Sequence, residues 1–202
     1  MSLVSNLFKN KIFRWFIYFF EDVRSKSRLR QIIEFLDHDQ GRCSIVDIGC
    51  GTGLVTEKLH DYAQSVVGFD VVNNNLSHKI KFTLGSPDKP LPFKNKEFDY
   101  TLLIFVLHHS NDPIFLLKEV NRISNHVVIF EDIIINPVQK YYTLLVDSVL
   151  NLEFKNHPHR NKNDAEWKNT FADIGYHLID QNYSYNFLGL RHARYFLKST
   201  SL

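Results

Sequence analysis

The chain predicts an α/β protein built on one mostly parallel sheet, and three observations carry that expectation. Five short runs, at 44–48, 65–69, 80–84, 100–106 and 126–130, are continuously apolar instead of alternating. That is how strands buried on both faces read. Segments of helical period lie between them, at 54–63 and 113–124, so strand and helix take turns along the chain. Two later strands, 177–185 and 191–198, flank the short loop NFLGL and are expected to pair antiparallel. Strands alternating with helices and closed by a hairpin place helices on both faces of the sheet.

The outer elements follow from the same patterning. Residues 3–36 interleave apolar positions (Leu3, Leu7, Phe8, Ile12, Trp15, Phe16, Phe19) with basic ones at helical spacing, and a break is expected at 22–27. The stretch HDQGR, 38–42, reads as a turn. A helix over 138–153 carries Tyr141, Leu144, Leu145, Val149 and Leu152 on one stripe, and Pro137 suits its start. Another helix runs over 164–174 and stops at Gly175, with Asp164 as its expected N-cap and Trp167 as a packing residue.

Composition narrows the function. At 202 residues, 44% apolar and 23% charged, the chain suits a single globular domain with a full core. A net charge of +2 gives no electrostatic footprint for nucleic acid. Cys43 and Cys50 are too few and too close for a disulfide framework or a zinc site, which points to no metal and to a reducing, cytoplasmic setting. The apolar stretch 12–20 is interrupted by Arg14, well short of the roughly 20 residues a membrane span needs.

The richest signal is SIVDIGCGTGLVTEKL, 44–59, where three of the eight glycines fall within five residues at the end of an apolar run. In an open α/β sheet, ligands bind where strands end and helices begin. Glycine there lets the backbone turn sharply and lets a ligand approach the main chain. A helix starting near Gly53 would aim free N–H groups at an anion. The dinucleotide fingerprint fails, because Leu54 and Thr56 stand where its third glycine is required. A phosphate-binding P-loop fails too, since no Gly-Lys-Ser/Thr follows.

The arrangement Asp47-x-Gly49-x-Gly51-x-Gly53 resembles the first motif of the class I S-adenosylmethionine-dependent methyltransferases. VVGFD, 66–70, is similar to the family's second strand, which ends in the acid that holds the ribose hydroxyls; 91–123 is similar to its fourth strand and following helix. The resemblance covers 44–132 and implies a Rossmann-like, doubly wound, seven-stranded sheet with the last strand antiparallel and helical lid elements. It implies S-adenosylmethionine as cofactor, held by Asp47, Gly49, Cys50, Gly51, Gly53, Asp70, Val71, Ser86, Asp88 and Phe105. Ser86 stands where many relatives carry an aspartate near the adenine, with Asp88 as stand-in. The 71–79 connection is too short for a normal helix, and only Ser124-Asn125 precedes the fifth strand.

Methyl transfer from a sulfonium depends on alignment, and a base matters only if the acceptor must lose a proton. Candidates for the acceptor side are His108 and His109, directly after the fourth strand, and Glu131, at the end of the fifth; the bland alternative is that one histidine caps or packs against the neighbouring loop while the other is solvated, and that the Glu131 carboxylate pairs with a basic residue instead of orienting an acceptor. His157, His159 and Arg160 share a polar loop that either lines the acceptor pocket or is a plain connection. The expected organisation is one domain, 1–202: a helical lid 1–36, a cofactor core 44–132, a helical insert 137–163 that closes over the site, and a C-terminal part 164–202. An aromatic lid favours a small, apolar or lipid-like acceptor. Residues 1–22 have a second use to weigh, contact with a membrane interface. The rival to an enzyme is a methyltransferase-like partner subunit.

Overall fold

The computed structural model describes residues 11–36, 42–74, 76, 77, 79–134, 141, 162–185 and 189–200. In chain order these form α1 (Lys11–Leu36), β1 (Ser44–Ile48), α2 (Leu54–Leu59), β2 (Ser65–Asp70), β3 (Lys81–Leu84) and β4 (Phe98–Ile104). A single 3-10 turn, Leu107–His109, leads to α3 (Pro113–Ile123), β5 (Ser124–Asp132), α4 (Asp164–Ile174), β6 (Tyr176–Tyr185) and β7 (Arg191–Ser199). The seven strands make one sheet in the order β3-β2-β1-β4-β5-β7-β6. Pairing is parallel from β3 to β5, and β7 runs antiparallel to both β5 and β6. The expected doubly wound sheet with its antiparallel last strand is therefore present.

Successive side chains of a strand point to opposite faces, so each buried strand feeds two cores. On one face Val46, Ile48, Leu103, Val127 and Ile129 pack with Leu116, Leu117 and Val120 of α3 and with Trp167 and Phe171 of α4. On the other, Ile45, Tyr100, Leu102, Val128 and Phe130 pack with Ile32, Phe35 and Leu36 of α1 and with Val55 and Leu59 of α2. The C-terminal turns of α1 are thus a sheet-covering element. After β1 the chain goes to β2 and β3 on one side, then returns to place β4 and β5 on the other. The crevice above the carboxyl ends of β1 and β4 is the topological switch point.

Four expectations change in detail. The polar stretch 22–27 does not break α1. Asp22 pairs with Lys26 one turn on and with Lys58 of α2, Arg24 pairs with Glu21, and the Ser25 hydroxyl bonds the Asp22 carbonyl. α2 ends at Leu59 instead of reaching residue 63: the His60 and Tyr62 N–H groups bond carbonyls only three residues back, and Gln64 N–H bonds the Cys43 carbonyl to bring the chain beside β1. The N-cap of α4 is Asn163, which forms a capping box with Glu166. Asp164 instead accepts from the Tyr183 and Tyr195 hydroxyls and pairs with Lys168. Finally, α3 passes into β5 with no turn between Ile123 and Ser124.

The 71–79 connection carries no helix among the described residues, and Leu76 N–H bonds the Thr52 carbonyl. The expected helix over 138–153, the loop with His157, His159 and Arg160, and residues 1–10 lie outside the described residues. Among the described residues no helix is long and apolar enough to cross a membrane.

Candidate active site

Gly49, Gly51 and Gly53 all adopt positive φ, at 75°, 55° and 72°. This left-handed geometry costs a side-chain-bearing residue on the order of 1 kcal/mol or more. The turn leans on β2: Gly49 N–H donates to the Phe69 carbonyl at 2.7 Å and Cys50 N–H to the same oxygen at 3.2 Å. A Cβ on Gly49 would lie 2.4 Å from Val106 Cγ2, whereas one on Gly51 would meet nothing within 4 Å. Gly49 is therefore a packing glycine, and Gly51 borders open space.

Asp70 ends β2 beside that space. Its Oδ2 accepts from Gly51 N–H at 2.8 Å and its Oδ1 from Val71 N–H at 2.6 Å. Oδ1 also accepts from Val72 N–H at 3.4 Å, while Oδ2 keeps a further acceptor position, so the carboxylate is oriented and still able to receive a hydroxyl. Val71, Val72 and Leu84 expose 55%, 51% and 64% of their surface along the same edge, which leaves an apolar rim beside an acid. A carboxylate for a diol, apolar side chains for a flat base and free space over a glycine fit the adenosyl half of S-adenosylmethionine.

The other residues in the cofactor expectation serve behind this surface. Asp47 is buried and accepts from the Thr56 hydroxyl at 2.6 Å, and burial pushes its carboxyl up to about 6. It ties β1 to the start of α2. Cys50 is also buried, packed close to Gly68, and desolvation raises its thiol. Gly85 N–H bonds the Asp70 carbonyl at 3.0 Å, which sets Ser86 near the rim, where its hydroxyl accepts from Asp88 N–H. Asp88 itself accepts from the Ser110 hydroxyl and from both the backbone and side-chain N–H groups of Asn111. Its carboxylate brackets the β3–β4 connection to the turn after β4.

Of the acceptor-side candidates, Glu131 and His108 face inward and meet each other. Glu131 is fully buried; its Oε1 accepts from Leu107 N–H at 2.7 Å and its Oε2 lies 2.6 Å from His108 Nδ1. Together they fix the 3-10 turn onto β5. The His109 ring lies against that of His108, centroids 4.0 Å apart and planes tilted by 45°, and is half-buried.

Phe105 stands out, because it follows β4 with φ at 58°, held by its N–H donating to the Phe130 carbonyl at 2.8 Å. Backbone strain of this kind persists where surrounding structure over-determines it, and it clusters at functional sites. The Phe105 ring meets His192 edge-on at 4.9 Å and carries the Arg28 guanidinium over its face at 5.3 Å. His192 Nε2 lies 3.1 Å from Asp132 Oδ1, and burial together with Arg28 and Arg24 holds the imidazole down to about 4.

Sequence reading did not single out Arg28, His192 or Thr56. A signal for Arg28 existed. Arg28, Ile32, Phe35 and Leu36 fall at i, i+4, i+7 and i+8, so an arginine occupies the inward stripe of α1.

Residues 46–126 match the methyltransferase-domain family. The chain is 30% identical over 112 residues to a ubiquinone biosynthesis O-methyltransferase of Pelagibacter ubique, covering 50% of this chain and 46% of that protein. It is 36% identical over 93 residues to a tRNA U34 carboxymethyltransferase of Campylobacter fetus, covering 40% and 32%. The chain thus spans about half or less of the length of these curated relatives. Its fold is that of the magnesium protoporphyrin IX methyltransferase of Synechocystis PCC 6803, solved with bound SAH: TM-score 0.64 at 13% identity, over 95% of this chain and 88% of that one. Strand order, glycine turn and the acid at the end of β2 agree with the match of residues 46–126 to the methyltransferase domain, and the sheet has the fold of that solved methyltransferase.

Proposed function

We propose that the protein transfers a methyl group from S-adenosylmethionine to a small, apolar or lipid-like acceptor. The observation that carries this reading is the Asp70 carboxylate locked onto Gly51 N–H beside open space. When bound, the cofactor supplies an electrophilic methyl on a sulfonium. The chain's own part is to hold and align: Asp70 grips the sugar, Gly51 admits the main chain to close range, and Val71 and Leu84 cover the base. Alignment of this sort supplies on the order of 7–11 kcal/mol of barrier reduction. The His108–Glu131 pair acts as a positioning unit that fixes the turn at the end of β4, and His109 sits on its open side. Likeness to an O-methyltransferase of ubiquinone biosynthesis supports the apolar acceptor, and an apolar acceptor gives contact of residues 1–22 with a membrane interface a purpose.

Calorimetric titration with S-adenosylmethionine is the direct test. Binding is expected, weakened by about 1 kcal/mol or more in Asp70→Ala and also in Asp70→Asn, which keeps the shape. Absence of binding by the unaltered protein refutes the enzyme and leaves a methyltransferase-like partner subunit.

A further inference from the structure

Asp132 closes β5 and His192 opens β7, and the two are direct antiparallel partners. Their side chains therefore share a face, the one on which Phe105, Phe130 and Phe196 pack with Ile32 and Phe35 of α1. His192 Nε2 lies 3.1 Å from Asp132 Oδ1 with both atoms shut off from solvent, while the imidazole keeps 21% of its side-chain surface open. The Phe105 ring meets it from the end of β4. In the sheet order Asp70 and the glycine turn lie over β1 and β2. An imidazole with one nitrogen turned to a carboxylate thus stands across β4 from the proposed adenosyl cradle.

A carboxylate beside Nε2 favours the tautomer with the proton on that nitrogen, which leaves Nδ1 a lone pair. The contact has the length of a hydrogen bond without its alignment, and catalytic contacts of this kind tighten when substrate is seated. Arg28 and Arg24 of α1 oppose protonation of the ring through their fields, and Asp132 of β5 favours it. On the same strand Arg191 turns to the Tyr183 ring and Arg194 to Glu34, while Ser184 opposite on β6 and Phe105 after β4 carry no charge. With burial added, the resting imidazole is neutral, as a base must be.

We propose that His192 is the general base of the reaction, taking at Nδ1 the proton of an acceptor hydroxyl, with Asp132 as its positioning residue. This rests on the methyltransferase reading and deepens it by naming the acceptor group. As the hydroxyl oxygen bonds to the methyl carbon, the carbon–sulfur electron pair stays with sulfur, leaving a neutral thioether, and the O–H proton passes to Nδ1. The imidazolium so formed faces the Asp132 carboxylate, which stabilises it. A weak base suffices, because an oxygen that gains a methyl group becomes a strong acid. An amine makes no such demand, since its nitrogen attacks unprotonated and sheds its proton to water afterwards.

The test uses the full chain. Long-range proton–nitrogen NMR of the S-adenosylhomocysteine-loaded protein, with His192 assigned by its loss in His192→Gln, reads the tautomer. The proton is expected on Nε2; a proton on Nδ1 overturns the proposal whatever any variant's activity. Transfer of a labelled methyl group from S-adenosylmethionine to phenol, the smallest hydroxyl on an apolar ring, tests the chemistry. The unaltered protein should form anisole, with kcat/KM level down to about pH 5 and falling as His192 gains its proton near 4. His192→Gln should lose about 10²-fold or more and Asp132→Asn a smaller share, while both bind S-adenosylhomocysteine within threefold of the unaltered protein. An acid limb near the ordinary imidazole value of about 6.5, no anisole from a protein that binds S-adenosylhomocysteine, or full activity in His192→Gln overturns the proposal. Failure of the unaltered protein to bind S-adenosylhomocysteine overturns the methyltransferase reading instead.

Discussion

Gly49 and Gly51 share a backbone conformation but not a neighbourhood, and their alanine variants should part company. Gly49→Ala adds a clash with Val106 to the strain of positive φ and should lower unfolding free energy by about 2–4 kcal/mol in urea titration. Gly51→Ala meets only open space; it should lower stability by about 1 kcal/mol and weaken S-adenosylhomocysteine at least tenfold. Asp47 and His192 make opposite contributions to pH dependence. Between about pH 4 and pH 6 the unfolded Asp47 carboxyl has lost its proton while the folded one, near 6, keeps it, so rising pH favours unfolding. In much the same window the unfolded imidazole takes a proton that folded His192, near 4, refuses, so falling pH favours unfolding. The two largely offset each other. Asp47→Asn, which still accepts from Thr56, should therefore gain about 2–3 kcal/mol at pH 7 relative to pH 4 when compared with the unaltered protein in urea titrations. The glycine turn and Asp70 were legible in sequence because their geometry is local: positive φ at the turn and an acid at a strand end. Asp47, Asp88 and Glu131 were legible as acids at the right edge, but their partners lie 9, 22 and 23 residues away. Only the folded chain shows those carboxylates engaged in holding the scaffold.

Helix α1 joins the two levels, since its stripe both covers the sheet and delivers Arg28 to the strand ends. Ile32 is fully buried between α2 and the sheet. Ile32→Ala should lower unfolding free energy by about 2–5 kcal/mol, the signature of a core element; a pure lid would alter ligand affinity with little effect on stability. At α4, Asn163→Ala removes the cap and should cost about 1 kcal/mol in the same measurement. The sheet was readable from the chain because strands buried on both faces carry unbroken apolar runs, as at 45–46, 66–67, 102–104 and 127–130 of β1, β2, β4 and β5. Continuity of α1 was not, because side-chain pairs at i, i+3 and i, i+4 turn a polar stretch that resembles a break into a stabilised helix surface. The same limit applied to α2, whose early end is set by a bond between Gln64 and Cys43.

Among the described residues, the strand order of the sheet creates a crevice, with the proposed adenosyl cradle over β1 and β2 and an arginine–aromatic cluster over β4, β5 and β7. The fold alone does not define the chemistry, because one architecture hosts many reactions. What defines it is the pairing of a glycine turn open to the crevice with an acid already held in place by that turn. A crystal structure with S-adenosylhomocysteine tests this most directly. The account predicts the ribose hydroxyls within hydrogen-bond distance of Asp70, the base against Val71 and Leu84, and the sulfur directed toward Phe105. A ligand lying elsewhere in the crevice, with Asp70 still bonded only to the backbone of Gly51, Val71 and Val72, would contradict it.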